Sequence, residues 1–217
     1  MPATDLFQIE VARLALVVAR QHGFALAGGQ ALIAHGLGAR PTEDIDLFTD
    51  VNGGVTAAAG LVRRALLDAG LDVETIPDPT ELDDVFYGFD HDMTEFEVRR
   101  GEQAVRLQLV RFARGNSPVL LDIGPVLHLD DVIGTKVAAM VTRAQPRDYI
   151  DIAVALHRFS RDDLIALGRR ADPALTDEEF HEAMQRLDRL PEAVFALYRF
   201  TPDQVRGLRA AFADWPR

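Results

Sequence analysis

Cysteine is absent from the 217-residue chain. That excludes a disulfide framework, thiol catalysis and cysteine-ligated zinc, and it suits a cytoplasmic protein. Lysine is nearly absent: Lys136 stands alone among 23 Lys and Arg residues. No apolar run reaches the roughly eighteen residues that a transmembrane helix needs. The N-terminus, Met1-Pro-Ala-Thr-Asp-Leu, lacks the basic segment before an apolar stretch that marks a signal peptide. No membrane association is therefore expected. The six histidines, His22, His35 and His157 among them, are scattered. Without ligand-like spacing they read as packing or surface residues rather than metal ligands.

What remains is a chain with 48% hydrophobic residues, enough for one sizeable core or two small ones. The formal net charge of −11 argues against a simple electrostatic nucleic-acid binder. The charge is unevenly spread. Asp68 to Glu97 holds eleven acidic residues and no Lys or Arg, whereas Arg99 to Arg114 holds five arginines and one acid, Glu102. A local basic surface for RNA and an ordinary solvated face both fit that strip. The acidic stretch fits a docking surface for a basic partner or a soluble face.

The densest information lies between Phe24 and Phe48. An apolar run, Phe24-Ala-Leu-Ala27, leads into Gly28-Gly29 and a helical run from Gln30 to Leu37. Arg40-Pro-Thr42-Glu-Asp44-Ile-Asp46-Leu47-Phe48 follows. Alternate residues of a strand share a face, so Asp44 and Asp46 project together with Ile45 and Leu47 behind them. Adjacent carboxylates repel unless a cation lies between them. Mg²⁺ held by two carboxylates leaves coordination positions for substrate phosphates. The glycine pair permits a tight turn and a close backbone approach to a phosphate, or is only a turn. Together these features point to phosphoryl or nucleotidyl transfer.

Gly-Gly followed by Arg-x-Thr-x-Asp-Ile-Asp-Leu resembles the core of the nucleotidyltransferase superfamily in the form carried by AbiEii-type toxins, a group that includes the MenT-type mycobacterial toxins. A second block fits the same group: Lys136-Val-Ala-Ala-Met-Val-Thr-Arg143-Ala-Gln-Pro146-Arg147-Asp148-Tyr-Ile-Asp151-Ile. The resemblance spans residues 24–156 and implies Asp44, Asp46, Lys136 and Asp151 as catalytic residues. Asp44 and Asp46 would be the metal ligands. Gly28, Gly29, Arg40, Thr42, Lys136, Arg143 and Arg147 would bind nucleotide. It implies NTP as substrate, Mg²⁺ as cofactor, the 3′ end of tRNA as acceptor with translation blocked, and a cognate antitoxin as partner. It also makes Thr42 a candidate for regulatory phosphorylation, since a phosphate there would set roughly −1.5 to −2 charges beside the carboxylates. Asp151 is expected to orient Lys136 or assist the metal; an Arg147–Asp151 or Lys136–Asp151 structural ion pair is the other reading. Lys136, Met140, Arg143 and Arg147 fall near one face of a continuous helix, though Pro146 interrupts it.

The expected fold is α/β (α+β), a nucleotidyltransferase-like N-terminal mixed sheet with helices followed by a C-terminal helical part. The division is placed at residues 1–120 and 121–217. Patterning predicts a helix from Asp5 to Gln21 capped by Thr4, strands at Phe24–Ala27, Glu43–Phe48 and Leu71–Ile76, and a helix from Val55 to Ala69. It further predicts pairing of Phe86–Phe89 with Glu95–Arg99, and a strand from Val105 to Phe112. Helices follow at Asp130–Arg143, Arg147–Arg158, Asp162–Arg170, Asp177–Arg189 and Pro202–Ala213.

One departure stands out. Many nucleotidyltransferases carry a third carboxylate on a later strand, and Gln108 occupies that place here. Glutamine binds Mg²⁺ poorly, which puts two-metal catalysis in doubt. Two other functions fit the same residues: transfer to a protein hydroxyl or a small molecule such as an aminoglycoside, and a nucleotide-binding pseudoenzyme.

Overall fold

A computed structural model describes residues 5–38, 40–77 and 93–216. The chain divides into two compact units. A sheet unit comprises residues 3–34 and 42–128, and a helical unit comprises residues 1–2, 35–41 and 129–217.

The sheet unit opens with α1, Leu6–Ala19. Its cap is Asp5, whose side chain accepts from the Phe7 amide, and not the expected Thr4, which lies outside the described residues. The last turn tightens into a 3₁₀ segment, Arg20–His22, closed by Gly23 at φ +77°. Next come β1 (Ala25–Leu26), α2 (Gly28–Ala34), β2 (Asp44–Thr49) and α3 (Gly54–Asp68). Strands β3 (Asp72–Ile76), β4 (Met93–Arg100), β5 (Gln103–Arg111), β6 (Val119–Leu121) and β7 (Gly124–Val126) complete the unit.

Among the described residues the seven strands form one mixed sheet in the order β3-β4-β5-β2-β1-β7-β6. β2 pairs in parallel with β5 and β1 with β7, and the other neighbours are antiparallel. Ile45, Leu47, Leu107, Leu109, Phe96 and Val98 are buried on one face. They pack with Val55, Ala58, Val62 and Leu66 of α3 and with the apolar side of α1. The other face carries Asp44, Asp46, Gln108 and Glu95.

Several sequence expectations shift. The first short helix begins at Gly28 itself, so the glycines start the helix rather than precede it. β4 pairs with β3 and β5, while Phe86–Phe89, its expected partner, lies outside the described residues. The hairpin β6–β7 went unpredicted because three-residue strands leave too short a pattern to detect.

The helical unit holds α4 (Leu129–Thr142), α5 (Pro146–Ala155), α6 (Arg161–Ala171), α7 (Asp177–Arg189), α8 (Glu192–Ala196) and α9 (Pro202–Ala211). α4 and α6 approach closely because both carry glycine at the crossing. A Cβ on Gly134 would meet the Leu167 carbonyl at 2.7 Å, and one on Gly168 would meet Val137 Cγ1 at 2.4 Å. Tyr149 is fully buried, donates its hydroxyl to the Ala183 carbonyl at 2.6 Å, and packs edge-on against Phe212. Burial pushes its phenol well above the ordinary value, so it stays protonated.

Candidate functional site

In the sheet unit, the β2 alternation is as expected. Ile45, Leu47 and Thr49 are buried, and Asp44, Asp46 and Phe48 are half-buried on the opposite face. The two carboxylates therefore share a face at the spacing of one strand pleat. Gly28 meets Asp46 from α2. Its φ is +59°, and a Cβ there would stand 1.7 Å from Asp46 Oδ2 and 2.7 Å from Asp46 Cγ. Only glycine lets the backbone lie against this carboxylate. The Ala27 amide donates to the Asp46 carbonyl at 2.7 Å, which pins α2's start to the strand.

Thr42 precedes the strand. Its carbonyl accepts from Gln8 Nε2 at 2.9 Å, and Gln30 Nε2 donates to Gln8 Oε1 at 2.7 Å. The Thr42 hydroxyl is buried without a hydrogen-bond partner among the described residues.

Register places Gln108 of β5 directly beside Asp46, and Glu95 of β4 directly beside Gln108. Opposed residues of neighbouring strands share a face. A carboxylate thus stands one strand beyond the position that Gln108 takes. Glu95 Oε1 is buried, lies 3.4 Å from Arg106 Nη1, and has no hydrogen-bond partner among the described residues. Reading the chain without the β4–β5 register concealed Glu95, although the alternation Glu95-Phe-Glu97-Val was visible.

The arginine strip does not form one surface. Arg99 bonds Glu97, Arg100 grips Glu10 at 2.7 and 2.9 Å, and Arg106 faces Glu95. Arg114 pairs with Asp50 at 2.7 Å. Strand alternation sends Arg99 and Arg106 to one face of the sheet and Arg100 and Arg111 to the other.

In the helical unit, Asp151 of α5 is 4% exposed and gathers two cations. Arg40 donates Nε to Oδ1 at 2.9 Å and Nη2 to Oδ2 at 2.8 Å, and Lys136 Nζ lies 2.9 Å from Oδ2. Lys136 and Arg40 are each 8% exposed, and the Arg40 guanidinium lies over the Tyr198 ring at 5.8 Å. The Arg40–Asp151 fork joins residues 111 positions apart, a pairing that sequence spacing does not reveal. The cluster holds two positive charges against one negative.

Arg143 and Arg147 do not extend that cluster along one helix. α4 ends at Thr142, Ala144 takes φ +53°, and Pro146 starts α5. Arg143 turns to the fully buried Asp148, with Nε at 3.0 Å from Oδ2 and Nη2 at 2.5 Å from Oδ1. Arg147 keeps a buried Nε without a hydrogen-bond partner among the described residues. Of the two ion pairs expected for Asp151, the one with Lys136 is present.

The two-carboxylate pair fits Mg²⁺ in kind: hard oxygen donors, one shared face, and a glycine in place of any side chain against Asp46. Among the described residues no group of three or more His, Cys, Asp or Glu side chains forms a self-sufficient metal cage. No helix among the described residues is long and apolar enough to cross a membrane.

No curated protein matches the chain by sequence. Among solved structures, MenT4, a nucleotidyltransferase toxin of Mycobacterium tuberculosis H37Rv, is similar at TM-score 0.60 and 16% identity, over 96% of this chain and 83% of its own. JHP933 from Helicobacter pylori is similar at TM-score 0.58 and 15% identity, over 96% and 91%. A candidate nucleotidyltransferase from H. pylori is similar at TM-score 0.59 and 18% identity, over 95% and 92%. At such identities the likeness establishes the fold alone. The family profile described as nucleotidyl transferase AbiEii toxin, type IV toxin–antitoxin system, matches residues 12–212, so the chain belongs to the AbiEii nucleotidyltransferase toxin family.

Proposed function

We propose that this chain transfers a nucleoside monophosphate from an NTP to an acceptor hydroxyl, the acceptor being the 3′ end of tRNA, and that translation stops as a result. One observation supports the chemistry: Asp44 and Asp46 project from one face of β2, and the Gly28 backbone lies against Asp46 where no side chain would fit. Mg²⁺ held by Asp44 and Asp46 would neutralise phosphate charge and orient the α-phosphate. The acceptor oxygen attacks that phosphorus, the Pα–O bond to the β-phosphate breaks, and pyrophosphate departs. Glu95 takes the acceptor's proton, because it is the carboxylate in register beyond Gln108 and its Oε1, 3.4 Å from Arg106 Nη1, accepts no hydrogen bond among the described residues.

Lys136 serves as the point charge for the polyphosphate. Its ammonium has three donors, one of which goes to Asp151, and its cluster retains one net positive charge. Arg40 and Asp151 act through it, as the residues that hold it in place. A cognate antitoxin is the expected partner of a chain of this family, and the interior of a cell its place of action.

A second acceptor class has its own support. The sheet face bearing Asp44 and Asp46 also carries Glu74, Glu95 and Glu97, and its arginines are paired. That charge favours a protein hydroxyl or a cationic small molecule over a polyanion.

The test is label transfer from each α-labelled NTP with Mg²⁺, total RNA and cell extract, beside Asp44→Asn. Label in tRNA-sized RNA supports the first reading, and label in a protein band supports the second. NTP binding without label in any acceptor overturns both and leaves a pseudoenzyme.

A further inference from the structure

The sheet unit carries a second concave surface. A groove of about 580 Å³ lies between α1, α2 and the β6–β7 hairpin, lined by Ile9, Arg13, Gln30, Ile33 and Leu121. A further groove of about 360 Å³ continues along α1 past Val17 and Arg20 and shares Arg13 and the hairpin. Between them, Leu120 of the terminal strand β6 is 81% exposed, and Val17 is 62% exposed. Single exposed apolar residues are ordinary, but two of this size flanking a groove mark a contact surface.

This surface carries positive charge that no acid among the described residues neutralises. Arg99, Arg100, Arg106 and Arg114 all face acids, in a chain of net charge −11. The side chains of Arg13 and Arg20 have no ion pair or hydrogen bond among the described residues. They stand seven positions apart, two helical turns, so they flank Val17 on one side of α1. Asp122 is the single acid lining the grooves. An RNA strand would satisfy the arginines but leave Leu120 and Val17 against phosphate and sugar. A polypeptide carrying both aliphatic side chains and carboxylates satisfies all four residues.

The groove is also wired to the catalytic strand. Gln30 on its wall donates to Gln8, and Gln8 donates to the Thr42 carbonyl, two residues before Asp44. We propose that this groove seats an acidic amphipathic segment of a partner protein, and that its seating against Gln30 lowers transfer at the Asp44–Asp46 strand. The second half rests on the function proposed above; the first does not.

The experiment uses a fluorescein-labelled two-heptad helix of leucine and glutamate as probe, with a leucine–lysine counterpart and a single-stranded RNA oligonucleotide as controls. Fluorescence anisotropy is read on the wild-type chain, the double variant Arg13→Glu/Arg20→Glu, and Leu120→Asp. All three positions are exposed, and thermal melts verify the fold. The acidic peptide should bind, and each variant should weaken it by about tenfold or more, with salt weakening it further. No binding, equal binding by the variants, equal binding of the lysine peptide, or preferential binding of the RNA would overturn the docking site. Saturating peptide should then suppress label transfer in the wild type but not in Gln30→Ala. Peptide that binds without changing transfer overturns the coupling. If the wild type transfers no label at all, the proposed function fails while the anisotropy result still decides the docking site.

Discussion

The Gly28 backbone lies so close to the Asp46 carboxylate that a single added methyl would stand 1.7 Å from Oδ2. Gly28 also sits at φ +59°, where an L side chain is strained by about 1 kcal/mol. Gly28→Ala should therefore push Asp46 out of position. Displacement by about an ångström costs roughly a hundredfold in rate, and transfer should fall by at least that much with a modest loss of thermal stability. Gly60→Ala in α3 is the contrast, because a Cβ there meets nothing within 4 Å. It should keep full transfer and add up to about 1 kcal/mol of stability.

Asp44→Asn and Asp46→Asn each keep the shape of the side chain and remove its charge. Both residues are half-buried on the polar face, so the melting temperature should change little. Transfer should fall by about a thousandfold, the scale of losing metal-assisted charge stabilisation. Glu95→Gln should behave differently. It should lower kcat by about a hundredfold or more and leave the KM for NTP unchanged. A raised KM with kcat unchanged would reduce Glu95 to a partner of Arg106.

Thr42 offers a graded test of the regulatory reading. Its hydroxyl is buried without a partner among the described residues, so Thr42→Val removes an unsatisfied group and should leave folding intact. Thr42→Glu places charge two residues before Asp44 and should suppress transfer without unfolding the chain. Full transfer by Thr42→Glu, measured with the same labelled NTP, would end the case for phosphorylation as a switch here.

Local patterns of two and three residues were what the sequence made legible. The β2 alternation placed Asp44 and Asp46 together because a strand's period is short and fixed. The helices from Asp130 onward were readable from their patterning, and the structure adds capping boxes, Ser160 with Asp163 and Thr176 with Glu179. Register was not readable. Glu95 reaches the row of Asp46 only through two successive strand pairings, and Arg40 reaches Asp151 across 111 positions. The arginine strip looked continuous along the chain, but alternation and local acids divide it. The Gly28-Gly29 pair looked like a loop, but the backbone begins its helix there because the approach to Asp46 needs a residue without a side chain.

The same capping boxes make stability depend on acidity. The Thr176 amide and hydroxyl donate to Glu179 Oε2 at 2.8 and 2.9 Å and hold its carboxyl below the ordinary value. Ser160, through its hydroxyl and then its amide, does the same to Asp163. A carboxyl depressed in the folded state stabilises it above the unfolded value, and that contribution disappears as pH falls through the folded value. Wild type and Glu179→Ala should therefore differ in melting temperature at neutral pH and converge in acid. A difference that persists below the carboxylate range would assign the effect to packing instead.

Asp151 and Lys136 separate stability from activity. Asp151→Asn would leave the Arg40 and Lys136 charges buried, each 8% exposed, with no counter-charge between them. Breaking such a cluster costs about 3–5 kcal/mol, so the melting temperature should drop by roughly 10 °C. Lys136→Met removes one bond from a carboxylate that keeps both bonds from Arg40. Its melting temperature should move only a few degrees, while transfer is lost. Because Lys136 is the chain's single lysine, its side-chain ammonium gives one ¹⁵N resonance, free of overlap. If the ammonium meets phosphate as proposed, NTP addition should shift that resonance in the wild type and in Asp44→Asn alike. A resonance that stays fixed at saturating NTP would make Lys136 a structural partner of Asp151, and the polyphosphate would need another cation.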